Sequence, residues 1–280
     1  MTTDTAPAEP KDAHEKEEAK ERSSPSGKIV YLAIEREAKE ELSRPSVGLF
    51  WSGLAAGLSM AFSVIGEAVL REHLPEAAWT SLVAELGYSI GFLIVILGRQ
   101  QLFTENTLTP VLPLLRNRDR ATFMNVARLW ATVLIANLLG AMIIALVLVK
   151  TNALAQPVVE RLLQIGHSSI SHGFGTVLLR GIFAGWLIAL LVWMMPAAEA
   201  ARFFLIIVIA WMVGIGEFSH VIAGAVDIFA LAWAGEKSWA IAFGGFVLPA
   251  LIGNIIGGVA LVAGLNYAQV SPGSDLRSTR

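Results

Sequence analysis

Two short polar stretches interrupt apolar segments that are otherwise long enough to cross a membrane, and they occupy matching places in the two halves of the chain. The first reads Gly98-Arg99-Gln100-Gln101-Leu102-Phe103-Thr104-Glu105-Asn106 and the second Gly214-Ile215-Gly216-Glu217-Phe218-Ser219-His220. Backbone that leaves a helix at membrane depth persists only where it is buried in protein or lines a watery cavity. Paired breaks in corresponding segments point to a transport site. The pattern predicts a membrane transporter or channel with His220 facing Thr104 at its middle.

The composition agrees. Hydrophobic residues make up 55% of the sequence and charged residues 16%, and the charge is densest in the first 45 residues. What remains is too apolar for one soluble core. A net charge of −2 offers nothing to nucleic acid. The absence of cysteine removes disulfides, thiolate metal sites and redox motifs, and no cofactor, metal or enzymatic activity is expected. Residues 1–27 are polar, without the apolar stretch of a signal peptide, and hold too little apolar surface to order themselves.

A spanning helix needs about 20 mostly apolar residues. The candidate spans are 47–70, 85–115 (broken near 99–106), 127–149, 174–195, 203–234 (broken near 214–220) and 239–265. The expected architecture is therefore an all-α membrane protein of six transmembrane helices, with the second and fifth interrupted. A charged tail, 1–45, precedes the membrane domain, 46–268, and a second tail, 269–280, follows it. From Lys28 to Arg44, Ile29, Val30, Leu32, Ala33, Ile34, Ala38 and Leu42 fall partly at helical spacing. This fits an amphipathic helix on the membrane surface or on a neighbouring subunit, or else a charged tail with nascent helicity.

Lys and Arg set the expected orientation. With the N-terminus inside, Arg116, Arg118, Arg120, Arg128 and Arg202 are cytoplasmic. The tails add Lys28, Arg36, Lys39, Arg44, Arg277 and Arg280, while the outer loops hold Arg71, Lys150, Arg161 and Lys237. Both termini are then cytoplasmic.

An internal repeat is visible. Ala136-Asn137-Leu138-Leu139-Gly140-Ala141 in the third span resembles Gly253-Asn254-Ile255-Ile256-Gly257-Gly258 in the sixth. The offset of 117 residues from Asn137 to Asn254 also carries Phe103 onto His220. Three spans per half make the repeats run in opposite directions, which puts the site at the midplane between them. Small-residue patterns such as Gly253-x-x-x-Gly257 allow close helix approach, so Asn137, Gly140, Asn254 and Gly257 are read as packing positions.

His220 is the one histidine deep in a predicted span. A neutral imidazole there can donate one hydrogen bond and accept another, and it titrates near physiological pH, so it could bind a small anion, exchange a proton with it or gate with pH. Thr104 supplies a hydroxyl to imidazole and substrate together. Leu102 and Phe103, with Val213 and Phe218 beside the second break, suit apolar constrictions. Arg99, Glu105, Arg180, Glu217 and Asp227 also fall in or near the spans. Each isolated charge there costs at least about 2.5–3.5 kcal/mol, so partners are expected. Arg180 could pair with Glu105 or with Glu217.

Together these residues resemble the formate/nitrite transporter family. Leu102-Phe103-Thr104 is similar to the loop of its broken second helix, and Phe218-Ser219-His220-Val221-Ile222-Ala223 to the segment around its central histidine. Asn137-Leu138-Leu139-Gly140 and Gly253-Asn254-Ile255-Ile256-Gly257-Gly258 are similar to its third and sixth helices. The resemblance, covering about 45–268, implies an aquaporin-like inverted repeat in the inner membrane. It also implies assembly as a homo-pentamer in the lipid bilayer with a pore in each protomer. Small monovalent anions such as formate or nitrite are the implied substrates, passing with help from protonation.

The chain departs from that family at several positions. Ser219 stands where Glu often precedes the histidine, Gly224 where Asn is expected, and Ser169 where a vestibule lysine is expected. Arg99 and Glu105 replace small neutral residues, and the charged N-terminal extension is atypical. Three other readings compete. The permeant could be a neutral solute or another ion. The chain could also be a transport-inactive scaffold. Gly87-Tyr88-Ser89-Ile90-Gly91 matches the nucleophile pattern G-x-S-x-G, so an intramembrane hydrolase could pair Ser89 with His220, although the motif lies in a helical run rather than at a strand-to-helix elbow.

Overall fold

The computed structural model describes residues 25–270. The stretch 1–24, and the tail from 271 with Arg277 and Arg280, lie outside the described residues. Ten helices carry the described chain: α1 (Gly27–Ser43), α2 (Ser46–His73), α3 (Thr80–Leu97), α4 (Val111–Asn117), α5 (Arg120–Lys150), α6 (Gln156–Ile170), α7 (Phe174–Met194), α8 (Arg202–Ile215), α9 (Val221–Ala234) and α10 (Trp239–Val270).

Among the described residues, five helical segments are long and apolar enough to cross a membrane: α2, α3, α5, the α7 stretch Phe174–Ala197, and α10. The sixth crossing is made jointly by α8 and α9, of 14 residues each, with the second break between them. At about 1.5 Å per residue neither spans alone. The fold is the all-helical membrane bundle expected, with two differences. The segment after the third span, read as an outer loop containing Arg161, forms α6 instead, packed on α2 and α9. And α1, which already begins at Gly27, lies on its own chain: Val30, Tyr31, Ile34 and Ala38 are buried.

Local chemistry explains where the helices begin and end. Asp119 caps α5 by accepting the Thr122 N–H at 2.8 Å, which with the Thr122 hydroxyl lowers its carboxyl below the usual range. Ser26 and Ser238 cap α1 and α10 in the same manner. Gly235, at φ 84°, closes α9 in the left-handed conformation that glycine tolerates. Two stretches of α10, Ala242–Val247 and Ile256–Gly264, are wound as π-helix, the first leading into Pro249, which has no N–H to give.

The halves pack alike. In the first, α2 lies against α5; in the second, α7 lies against α10. A Cβ on Gly57 would strike the Asn137 carbonyl, and one on Gly185 would strike the Asn254 carbonyl. Gly140 and Gly257 make the reciprocal approaches, to the backbone of α2 and α7. Between the halves sits α9, where every residue from Val221 to Leu231 is buried.

Candidate functional site: a cavity ending on the Thr104–His220 pair

Both breaks are built on one plan. Helix α3 ends at Gly98 and α8 at Gly216, and the following residues, Arg99 (φ 50°) and Glu217 (φ 49°), turn left-handed. A non-glycine residue held in that region costs about 1–2 kcal/mol, so surrounding contacts must hold it. One asparagine then serves each break. Asn137 Oδ1 accepts the Phe103 N–H at 2.9 Å, while its Nδ2 donates to the carbonyls of Gly53 (2.7 Å) and Gln101 (2.9 Å). Asn254 Oδ1 accepts the Val221 N–H at 2.9 Å, and its Nδ2 donates to the carbonyls of Gly181 (2.8 Å) and Ser219 (2.9 Å). The two side chains therefore satisfy irregular backbone at membrane depth, a larger task than helix packing.

This pairing corrects the register of the repeat. Arg99 and Glu217, Gln101 and Ser219, and Phe103 and Val221 are each 118 residues apart, so the counterpart of His220 is Leu102, not Phe103. One residue more separates the breaks than separates the asparagines.

His220 is the N-cap of α9. Its Nδ1 accepts the Ala223 N–H at 3.2 Å, and its Nε2 lies 2.8 Å from Thr104 Oγ1. A ring nitrogen that accepts an N–H carries no proton, so this geometry assigns the neutral tautomer with its proton on Nε2, donated to Thr104. The hydroxyl proton of Thr104 is then free for another acceptor. Phe92 meets the imidazole edge-on, with ring centroids 5.0 Å apart. Leu102, Phe103, Thr104 and Val213 are fully buried, Phe103 against Trp130 and the half-buried Phe218 against Phe183.

A cavity of about 540 Å³ leads to this pair from the end of the bundle where α2 finishes. Val213, Phe218 and His220 are part of its wall; Leu102, Phe103 and Thr104 stand beyond it. Its other residues include Glu67, Arg71, Glu85 and Asp227, and the Ser168–Ser169 turn of α6. Sequence reading passed over Glu67 and Glu85 and put Arg71 in a loop. The available signal was a Glu and an Arg four residues apart in an apolar span, the spacing of a helical ion pair.

Of the intramembrane charges, Arg180, Glu217 and Arg99 find partners among the described residues, and Glu105 and Asp227 do not. Arg180 bonds Glu217 at 2.9 Å, which settles its alternatives. Arg99 bonds Glu37 of α1 at 2.9 Å, and Gln101 Nε2 donates to Glu41 at 2.7 Å, so α1 is latched to the first break. Glu105 Oε1 and Asp227 Oδ1 are buried without a hydrogen-bond partner among the described residues. Ser89 donates to the Ile207 carbonyl at 3.1 Å, tying α3 to α8; it is not paired with His220.

Comparison with known proteins follows the same lines. Residues 28–268 match the family profile described as formate/nitrite transporter. The inner membrane protein YfdC of Escherichia coli (strain K12) is 35% identical over 264 residues, covering 94% of this chain and 85% of that one. The uncharacterized transporter YrhG of Bacillus subtilis (strain 168) is 30% identical over 247 residues, covering 85% and 90%. A solved structure titled as a pentameric formate channel with formate bound superposes with a TM-score of 0.67 at 20% identity, covering 80% of this chain and 97% of that one.

Proposed function

The chain belongs to the formate/nitrite transporter family, and from that premise we propose that it forms a pH-dependent passage through the inner membrane for a small monovalent anion of the formate or nitrite kind, or its conjugate acid. The observation that carries the reading is the cavity ending on the Thr104–His220 hydrogen bond, where two inverted breaks meet. The pair offers an acceptor oxygen arriving from the cavity the free hydroxyl proton of Thr104, and the Nε2–H of His220 in exchange for its bond to Thr104. Buried Leu102, Phe103 and Val213, with Phe218, supply the apolar neighbourhood that strips water from it. In this reading the pH response arises when His220 takes a proton on Nδ1, the one ring nitrogen without one, giving up the Ala223 cap and making its Nε2–H a charged donor.

The protomer is one of five, with both termini cytoplasmic. Support for assembly comes from the pentameric formate channel that shares the fold, and from apolar side chains such as Trp51, Ile135, Leu179 and Phe204 turned outward to lipid or to a neighbour.

The test is uptake of formate and nitrite into proteoliposomes, read with an internal pH dye, using protein whose native mass in mild detergent is that of five chains. Wild type takes up one or both in a saturable, pH-dependent manner. His220→Ala, which removes both the donor and the cap, lowers uptake by at least about tenfold, the equivalent of ~1.4 kcal/mol. Equal uptake by the variant, with an unchanged pH profile, contradicts the role given to His220.

A further inference from the structure

Arg116, Arg118, Arg120 and Arg128 cluster at the end of the bundle away from the cavity, where α4 turns into α5. Two of them are tied into the fold. Arg116 pairs with Glu35 of α1, and Arg128 donates to the carbonyls of Leu42 (2.8 Å) and Arg44 (3.0 Å). The other two are exposed. Arg118 closes α4 and donates from Nε to the Leu115 carbonyl at 3.1 Å, which leaves both terminal nitrogens of its guanidinium without a partner among the described residues. Arg120 opens α5 and makes no side-chain hydrogen bond or ion pair among the described residues. Asp119, between them, has both carboxylate oxygens on Thr122 as the cap of α5. Two guanidiniums against one carboxylate leave a positive surplus there.

These residues rim a groove of about 480 Å³ whose other walls are apolar: Leu114 and Leu115, half-buried on α4, and Phe123, exposed on α5. Arg120 and Phe123 are three residues apart and share one face of α5, with the ring about 4.5 Å further along the helix. Met124 is exposed beside it. Because α5 is long and apolar enough to cross a membrane, moving along it from Arg120 means moving from the surface into hydrocarbon. The groove therefore sets cations at the level of headgroups and apolar side chains beneath them. A free phosphate would engage the guanidiniums and make no use of Leu114, Leu115 or Phe123. An uncharged tail would cover those three and leave both cations without a partner. An anionic glycerophospholipid answers both halves, since arginine pairs strongly with phosphate oxygens and basic pockets at the membrane surface hold anionic headgroups.

We propose that this groove binds an anionic glycerophospholipid of the leaflet on the α1 side of the membrane, with its phosphate on Arg118 and Arg120 and an acyl chain along Leu114, Leu115 and Phe123. The site lies at the opposite end of the bundle from the cavity and does not depend on what permeates. Helix α4 joins the first break to α5, and its Arg116, two residues before Arg118, holds α1 through Glu35. A lipid seated in the groove thus ties the α1–α4 contact to the membrane surface.

The experiment titrates the full chain, in an uncharged detergent, with phosphatidylglycerol, with phosphatidylcholine of the same acyl chains, or with glycerol 3-phosphate. Native mass spectrometry reads the molecules bound to the folded assembly. Wild type is expected to bind phosphatidylglycerol saturably and in preference to phosphatidylcholine, and to leave glycerol 3-phosphate unbound. Arg118→Gln with Arg120→Gln should weaken phosphatidylglycerol binding by about thirtyfold, about fivefold for each arginine. Lys28→Gln with Arg36→Gln removes two exposed charges from α1 and should leave binding unchanged. An equal loss in that α1 variant, or no loss in the groove variant, overturns the proposal in favour of attraction spread over the surface. Phosphatidylcholine bound as tightly as phosphatidylglycerol overturns the headgroup contact, and glycerol 3-phosphate bound as tightly overturns the acyl contact. Should the double groove variant fail to fold, Arg120→Gln alone decides, with its fivefold loss expected.

Discussion

Asn137 and Asn254 each hold three backbone groups at 2.7–2.9 Å: an N–H and a carbonyl of a break, which no helix satisfies, and one carbonyl of the neighbouring helix, Gly53 of α2 or Gly181 of α7. Interhelical polar contacts in membranes average well under 1 kcal/mol, because an unfolded segment in lipid also finds partners. These two asparagines differ, since two of the three groups each one serves belong to broken backbone enclosed by protein. Removing one leaves several buried groups unpaired at about 1–3 kcal/mol each before relaxation. Asn254→Ala should therefore destabilise by about 3 kcal/mol and lower the unfolding midpoint in detergent. An unchanged midpoint would show that water or relaxed backbone takes over the bonds.

At the scale of elements, the apolar runs announced the crossings, and the paired Gly-rich polar stretches announced where the second and fifth would open. Asn137 and Asn254 were visible as a repeated pattern but not as ties to the breaks, because the tie joins residues some 34 positions apart in sequence. The register slipped by one for a related reason: an offset measured on two intact helices does not count an extra residue in the chain between the breaks. Helix α6 went unread because its apolar face covers only part of a short segment. The partners of α1 were equally illegible, since amphipathicity shows that a face is buried but not against what.

That helix has a pH dependence of its own. Burial raises the Glu41 carboxyl above its usual range, with the Arg44 guanidinium drawing it partly back. Because the docked value lies above the undocked one, this group favours docking of α1 at acidic pH. The contribution fades as pH rises from the ordinary glutamate range through the raised value. A spin label on Arg36→Cys, an exposed position of α1, should grow more mobile with rising pH in the native background and less so after Glu41→Gln. Mobility that tracks pH equally in both would place the titration elsewhere.

For the whole molecule, two halves of opposite direction close around α9 and leave a cavity that ends on the Thr104–His220 pair. Helix α1 covers the opposite end: it precedes the start of α2, through Arg128 on the Arg44 carbonyl at 3.0 Å, whereas Arg71 near the end of α2 lines the cavity. The account thus stands on the cavity being the route a permeant takes. The absence of any cysteine makes this directly measurable. Ser219→Cys places a thiol in the cavity wall beside His220, while Ser89→Cys places one in the α3–α8 contact outside it. The measurement is formate uptake after treatment with a small methanethiosulfonate reagent. Ser219→Cys should lose uptake, formate should slow that loss, and Ser89→Cys should be untouched. Labelled Ser219→Cys that still takes up formate at the unlabelled rate would mean that the permeant travels elsewhere.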